Sequence, residues 1–236
     1  GLMEGGLAPG LKAAMWGGAG VTALNALLVA RFLPDRRREA RHEHERRGWA
    51  SGIAADLAAL YANPRLFVLC VISFFCVAGN YLMWGFFTLF LVERLHATLH
   101  LLRYALSISS VLGIVALPFL PPLVRRFGAP RTLAVGVTLY LLMYSAMGTT
   151  RDPIVAAVLY AAPLYGLIYI STNTIAAEVA SAAQRGGGLG VLQGAYALAT
   201  VVGPLTGGLI ADRVGLAAIP WTAFAFILVA CPIAWI

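Results

Sequence analysis

QRGGGLGVLQGAYALATVVGPLTGGLIADRVG, residues 184–215, sets the reading of the whole chain. From Leu189 to Ala211 it carries no charge, and it is about as long as the 20 residues with which a helix crosses a bilayer core. Within it stand Gly190, Gly194, Gly203, Pro204, Gly207 and Gly208, where a lipid-facing anchor would carry Leu and Val. Small residues let helix backbones approach closely, and Pro204 frees a carbonyl that only neighbouring protein or water satisfies at membrane depth. The stretch predicts a packed, bendable member of a helix bundle. Arg185 marks one end and Asp212 with Arg213 the other.

The rest of the chain agrees with a membrane setting. Its 236 residues are 60% hydrophobic and 11% charged, too apolar for an ordinary soluble domain. Apolar runs at 11–33, 66–92, 101–124, 132–149, 154–177, 189–211 and 219–236 predict seven spans in an all-α, polytopic transmembrane helix bundle. The formal net charge of +7 lies almost wholly at span ends and connections, so it reports orientation and not a nucleic-acid partner. By alternation of spans, one side receives twelve basic residues: Arg31, Arg36, Arg37, Arg38, Arg41, Arg46, Arg47, Arg65, Arg125, Arg126, Arg131 and Arg185. The other receives five, namely Lys12, Arg94, Arg103, Arg151 and Arg213. The positive-inside rule then places residues 34–65 in the cytoplasm, and the protein in a cell inner membrane as a multi-pass chain.

Residues 34–50, PDRRREARHEHERRGWA, are too densely charged to bury a core and predict a connector between membrane units. Behind them Ile53, Leu57, Leu60 and Tyr61 recur at helical spacing and predict an amphipathic helix on the inner surface. The domain reading is therefore residues 1–33 as the tail of a first helical half, 34–65 as the basic connector, and 66–236 as a six-helix half. Gly1 is no initiator methionine, and the chain reads as starting inside a longer protein whose earlier half is missing. A weak internal echo supports two related units: Gly1, Leu2, Met3 and Glu4 ahead of Trp16 parallel Gly208, Leu209, Ile210 and Asp212 ahead of Trp221.

Polar residues inside the spans fall into stripes at helical spacing. Ser73, Asn80, Trp84 and Thr88 share one face; so do Arg103, Ser107 and Ser110; so do Tyr165, Tyr169, Thr172 and Asn173; and so do Gln193, Tyr196 and Thr200. One reading is interhelical hydrogen bonding, about 0.6 to 2 kcal/mol per pair. The other is a shared water-filled cavity, with Asn80 and Tyr169 near mid-span, the depth at which transporters hold their solutes. On the second reading Asn80, Trp84, Tyr165, Tyr169, Asn173, Gln193 and Tyr196 form the substrate wall.

Several chemistries are excluded or disfavoured by what the spans carry. Glu93, Asp152, Asp212 and Glu178 all sit at span ends, so the deep interior shows no carboxylate for a proton relay, and Glu178 is the nearest candidate. Cys70, Cys76 and Cys231 form no disulfide framework. His96 and His100 lie four apart in an outer connection without a third ligand, and His42 and His44 sit among charges. No nucleophile with its base, phosphate-cradling loop or paired carboxylates appears, so neither an enzyme, a metal site nor a cofactor is expected.

RGGGLGVLQGAYALATVVGPLTGGLIADRVG at 185–215 and LPPLVRRFGAPR at 120–131 together resemble the major facilitator superfamily. The resemblance covers the end of that family's first half, its central loop and nearly all of its second half, so the seven spans correspond to helices six to twelve. It implies a secondary transporter working by alternating access, with Arg125, Arg126, Arg131 and Arg185 at cytoplasmic gating positions and Gly203, Pro204, Gly207 and Gly208 where a helix bends. Two departures stand out. Arg125 occupies the place of the family's aspartate in the cytoplasmic turn, which argues against a carboxylate gate there. The Gly203-Pro204-x-x-Gly207-Gly208 pattern resembles the antiporter signature of helix five, but lies on helix eleven. The implied activity is movement of a small organic solute, led by efflux of drug-like or sugar-like compounds; the alternatives are proton-coupled uptake and, in another class, a non-transporting membrane scaffold or sensor.

Overall fold

The computed structural model describes Arg31, residues 63–179 and residues 185–235. The chain divides into two units, Gly1–Gly52 and Ile53–Ile236, and the description below concerns the second. The predicted span at 11–33, the connector and the amphipathic segment at 53–61 fall outside the described residues, apart from Arg31.

Among the described residues eight α-helices follow one another, several of them opened by a capping side chain or a turn. Helix α1 (Pro64–Leu89) starts on Asn63, whose side chain accepts from the Leu66 amide at 3.4 Å, with Pro64 in the first turn, where its missing N–H costs nothing. A π-helical turn, Phe90–Arg94, ends it. Helix α2 (Leu99–Ala116) is capped by Thr98, and a short α3 (Leu120–Phe127) follows. Gly128, at φ 85, turns the chain into α4 (Ala129–Thr149), a conformation that costs any residue with a side chain more than glycine. Asp152 accepts from the Ile154 amide at 2.7 Å and starts α5 (Pro153–Ala161). Helices α6 (Tyr165–Val179), α7 (Arg185–Arg213) and α8 (Ile219–Ala234) complete the unit, with a single 3-10 turn at Leu216–Ala218 before α8.

Among the described residues there are six helical segments long and apolar enough to cross a membrane: Pro64–Arg94, Leu99–Ala116, Ala129–Thr149, Pro153–Val179, Gly187–Arg213 and Leu216–Ala234. The all-α, polytopic expectation holds for this unit. Two of the expected spans are not single helices. The run 101–124 is not one helix: α2 stops at Ala116, and the chain restarts as α3 at Leu120. Pro118 has no backbone N–H to donate, so the hydrogen-bond ladder is interrupted there although Leu117 keeps helical angles (φ −49, ψ −47), while Pro121 and Pro122 suit only a first turn. The run 154–177 is also interrupted, because Ala162 adopts extended backbone (ψ 123) ahead of Pro163.

Helix α1 is the hub. It packs most extensively along α7, then along α8, and also against α6; α8 continues onto α4, and α4 onto α6. Gly203 and Gly207 of α7 make the first contact possible. A Cβ at 203 would collide with the Ala78 carbonyl oxygen, and one at 207 would lie 2.6 Å from the Phe86 ring. Helix α2 stands apart from this core, resting chiefly on α5. Its Tyr104, Val111 and Val115 are exposed, as suits a surface that meets lipid.

Candidate functional site: an aromatic cavity beside a broken helix

A cavity of about 520 Å³ opens between α1, α2, α4 and the α5–α6 break. Six of its lining residues are aromatic: Tyr81 and Trp84 of α1, Tyr140 and Tyr144 of α4, Tyr160 of α5 and Tyr165 of α6. Asn80, Ser109 and Ser110 supply the polar side chains besides the tyrosine hydroxyls, and no lining residue is charged. The wall is braced from behind, where Phe87 stacks on Tyr160 with ring centroids 3.6 Å apart and planes within 9°. Tyr81 and Trp84 meet edge to face at 6.0 Å, and Tyr140 and Tyr144 tilt together at 5.4 Å.

The break in the fifth span is part of this wall. Ala162, Pro163, Tyr165 and Gly166 all line the cavity. Irregular backbone at membrane depth is tolerated only where it is buried in protein or faces water, and the cavity provides that setting. Gly166 lies against Leu120 so closely that a Cβ would overlap that side chain, which seats α3 under the start of α6.

The expected substrate wall separates into two groups. Asn80, Trp84 and Tyr165 line the cavity just described. Tyr169 and Asn173 line a second, more open cavity on α6, together with Thr174 and Glu178. The stacked rings of Tyr165 and Tyr169, 5.9 Å apart, stand between the two. Gln193 and Tyr196 line neither. Gln193 instead donates to Asn173 Oδ1 at 3.5 Å, and Tyr196 is buried, 2.5 Å from Thr172 Oγ1 by its hydroxyl and 5.9 Å from the Tyr169 ring. The stripe on α1 also divides: Ser73 is wholly buried without a hydrogen-bond partner among the described residues, whereas Trp84 is 63% exposed. Thr88 is exposed.

The gating set is equally spread. Arg125 and Arg126 end α3 and are exposed, with the Arg126 guanidinium 5.7 Å above the Phe127 ring. Arg131 is exposed in the first turn of α4, and Arg185 is the first residue of α7. Gly203 and Gly207 face α1, while Pro204 lies inside a helix that continues through it. The described residues hold no cluster of three or more His, Cys, Asp or Glu able to bind a metal ion.

Sequence reasoning passed over Tyr81, Tyr140, Tyr144 and Tyr160, which form most of the aromatic wall. A signal existed for two of them, since Tyr140 and Tyr144 are four apart and must share a face of α4.

The family model of the Major Facilitator Superfamily matches the chain over residues 2–151 and again over residues 69–236. The chain belongs to the Major Facilitator Superfamily. Members of this superfamily are secondary transporters of small-molecule solutes within the lipid bilayer, and not enzymes. As a Major Facilitator Superfamily protein the chain is multi-pass, in keeping with its six apolar helical segments. No curated protein matches it.

Proposed function

We propose that the protein moves a neutral or amphipathic organic solute by alternating access, with the aromatic cavity as its solute site. In this reading residues 66–236 form a second six-helix half that rocks against a first half of the same protein in the inner membrane, with the basic connector 34–65 on the cytoplasmic side. The observation that carries it is the cavity of about 520 Å³, walled by six aromatic side chains without one charge. Ligand sites are concave and mostly apolar, with a few convergent polar groups, and this volume lies in their usual range. A wall without charge favours solutes that need no counter-ion, because an unpaired charge would be costly at this depth. Efflux of drug-like or sugar-like compounds by antiport is the leading direction. The two overlapping family matches support a chain made of related units.

Uptake by proton symport is the second reading, and Glu178 favours it as the one carboxylate lining the α6 cavity. Counterflow of candidate solutes into vesicles of the complete protein tests transport directly. The double variant Asn80→Ala, Tyr169→Ala removes one wall residue from each cavity and should lower counterflow by at least about tenfold, from lost hydrogen bonds and ring contact. Unchanged counterflow would sink the site assignment. A scaffold or sensor without transport predicts no counterflow for any solute.

A further inference from the structure

Asn80 and Tyr140 form a pair that spans the cavity. The Asn80 side-chain nitrogen donates to the Tyr140 hydroxyl at 2.7 Å. Both residues line the cavity, and α1 and α4 otherwise barely approach each other, each packing instead on α8. Tyr140 is only 4% exposed, and its ring is fixed against Tyr144. Asn80 is half-buried; its close hydrogen bond is the one to Tyr140, with the Tyr144 hydroxyl also within reach, and Tyr140 is the partner that sets the direction of its carboxamide. Neither Asn80 Oδ1 nor the Tyr140 hydroxyl is among the buried polar atoms left without a partner. With one hydrogen bond used between themselves, the two side chains retain a carbonyl acceptor on Asn80 and an O–H donor on Tyr140 for a third group.

We infer that Tyr140 aims Asn80 and, together with it, hydrogen-bonds a hydroxyl on a ring-bearing, uncharged solute. The inference rests on the reading of the aromatic cavity as a solute site and adds the class of solute. The flat walls of Tyr81, Trp84 and Tyr165 accept a ring face, and the Asn80–Tyr140 pair meets a group that both donates and accepts. A hydroxyl does both; an ether or a methyl group does not. A site built to hydrogen-bond such a group discriminates against an analogue lacking it, because the site's own polar atoms are left unmatched. Ser109 and Ser110 offer the same solute further hydroxyls from α2.

The test uses 7-hydroxycoumarin, at mildly acidic pH where it is neutral, and 7-methylcoumarin, which replaces the hydroxyl by a methyl of similar size. Equilibrium binding is measured on the purified full-length protein. The wild type should favour the hydroxyl compound by about tenfold. Tyr140→Phe should weaken 7-hydroxycoumarin by about tenfold and leave 7-methylcoumarin nearly unchanged, a split that loss of packing alone does not produce. Asn80→Ala should lose the same discrimination, and adding Tyr140→Phe to it should cost little more, since the two act as one unit. Equal weakening of both probes by Tyr140→Phe, or a wild type that binds both alike, overturns the inference while leaving the cavity as a solute site. If neither probe binds the wild type and neither slows labelling of a Trp84→Cys variant, the solute-site reading fails and the inference falls with it.

Discussion

Gly203 shows how a single missing side chain can hold two helices together. The space its Cβ would fill is taken by the Ala78 carbonyl oxygen and the Leu82 amide nitrogen, both backbone atoms that cannot swing aside. Gly203→Ala must therefore push α7 off α1, at about 1–3 kcal/mol for overpacking in a well-filled contact. The purified variant should melt several degrees lower and transport more slowly. Gly208 has no comparable neighbour, its closest being the Phe86 ring edge at 3.9 Å, so Gly208→Ala should melt within a degree or two of the wild type. Equal effects at the two positions would show that helix flexibility, and not close approach, is what the glycines supply. The glycine pattern was plain in the sequence; which of its members touches a backbone was not. That depends on the rotation of α7 about its own axis, which the partner helix sets.

At the scale of elements, the interruption between α5 and α6 is the feature most exposed to test. Pro163 has no N–H to donate, and Ala162 before it is extended, as a residue preceding proline prefers. The break presents Ala162, Pro163 and Gly166 to the cavity and turns Tyr165 into its wall. Pro163→Ala restores a donor and relieves the bias on Ala162, so α5 and α6 should fuse toward one helix. The expected outcome is a protein that melts no lower than the wild type but has reduced solute affinity, read by thermal unfolding in detergent and by binding. Lower stability with unchanged affinity would mean that the break serves packing alone. Proline positions were legible from the sequence, and the run 154–177 is one span as it read, but apolar length hid the short extended link within it. The same blindness joined α2 to α3 across Pro118.

At the largest scale, many large apolar side chains among the described residues lie on the outside. Leu142 of α4, Val201 and Leu205 of α7 and Leu228 of α8 are all exposed, a distribution that suits hydrocarbon in place of water. Leu142→Arg would set a charge on such a surface. Its cost near a helix centre is about 2.5 to 3.5 kcal/mol on insertion scales, enough to lower the amount of protein recovered in the membrane fraction. Leu142→Phe should be recovered normally. Cysteines placed at 80 and 169 extend the test to the interior: a transported solute should protect position 80 in the aromatic cavity, and position 169 if the α6 cavity lies on the same path. Labelling at both positions that ignores every solute would favour a scaffold over a transporter.

The sequence by itself determined that this protein is a bundle of apolar helices. In hydrocarbon each backbone N–H and C=O must be satisfied within its own segment, so length and hydropathy fix which stretches are helical spans, though not where prolines interrupt them. It also determined their close packing, through the glycines at 203 and 207, and placed Asn80 and Tyr165 among residues facing something other than lipid. Tertiary structure alone decided what each of those residues faces. Asn80 and Ser73 belong to one stripe, yet Asn80 meets Tyr140 across a cavity and Ser73 is sealed in the helix interface. Tyr196, equally polar in sequence, turns inward to Thr172, while the unremarked Tyr140 and Tyr160 line the open space. Helical spacing records which residues share a face. It does not record which neighbour that face meets, because that is set by residues distant in sequence, 24 positions for Thr172 and Tyr196 and 60 for Asn80 and Tyr140, that only folding brings alongside.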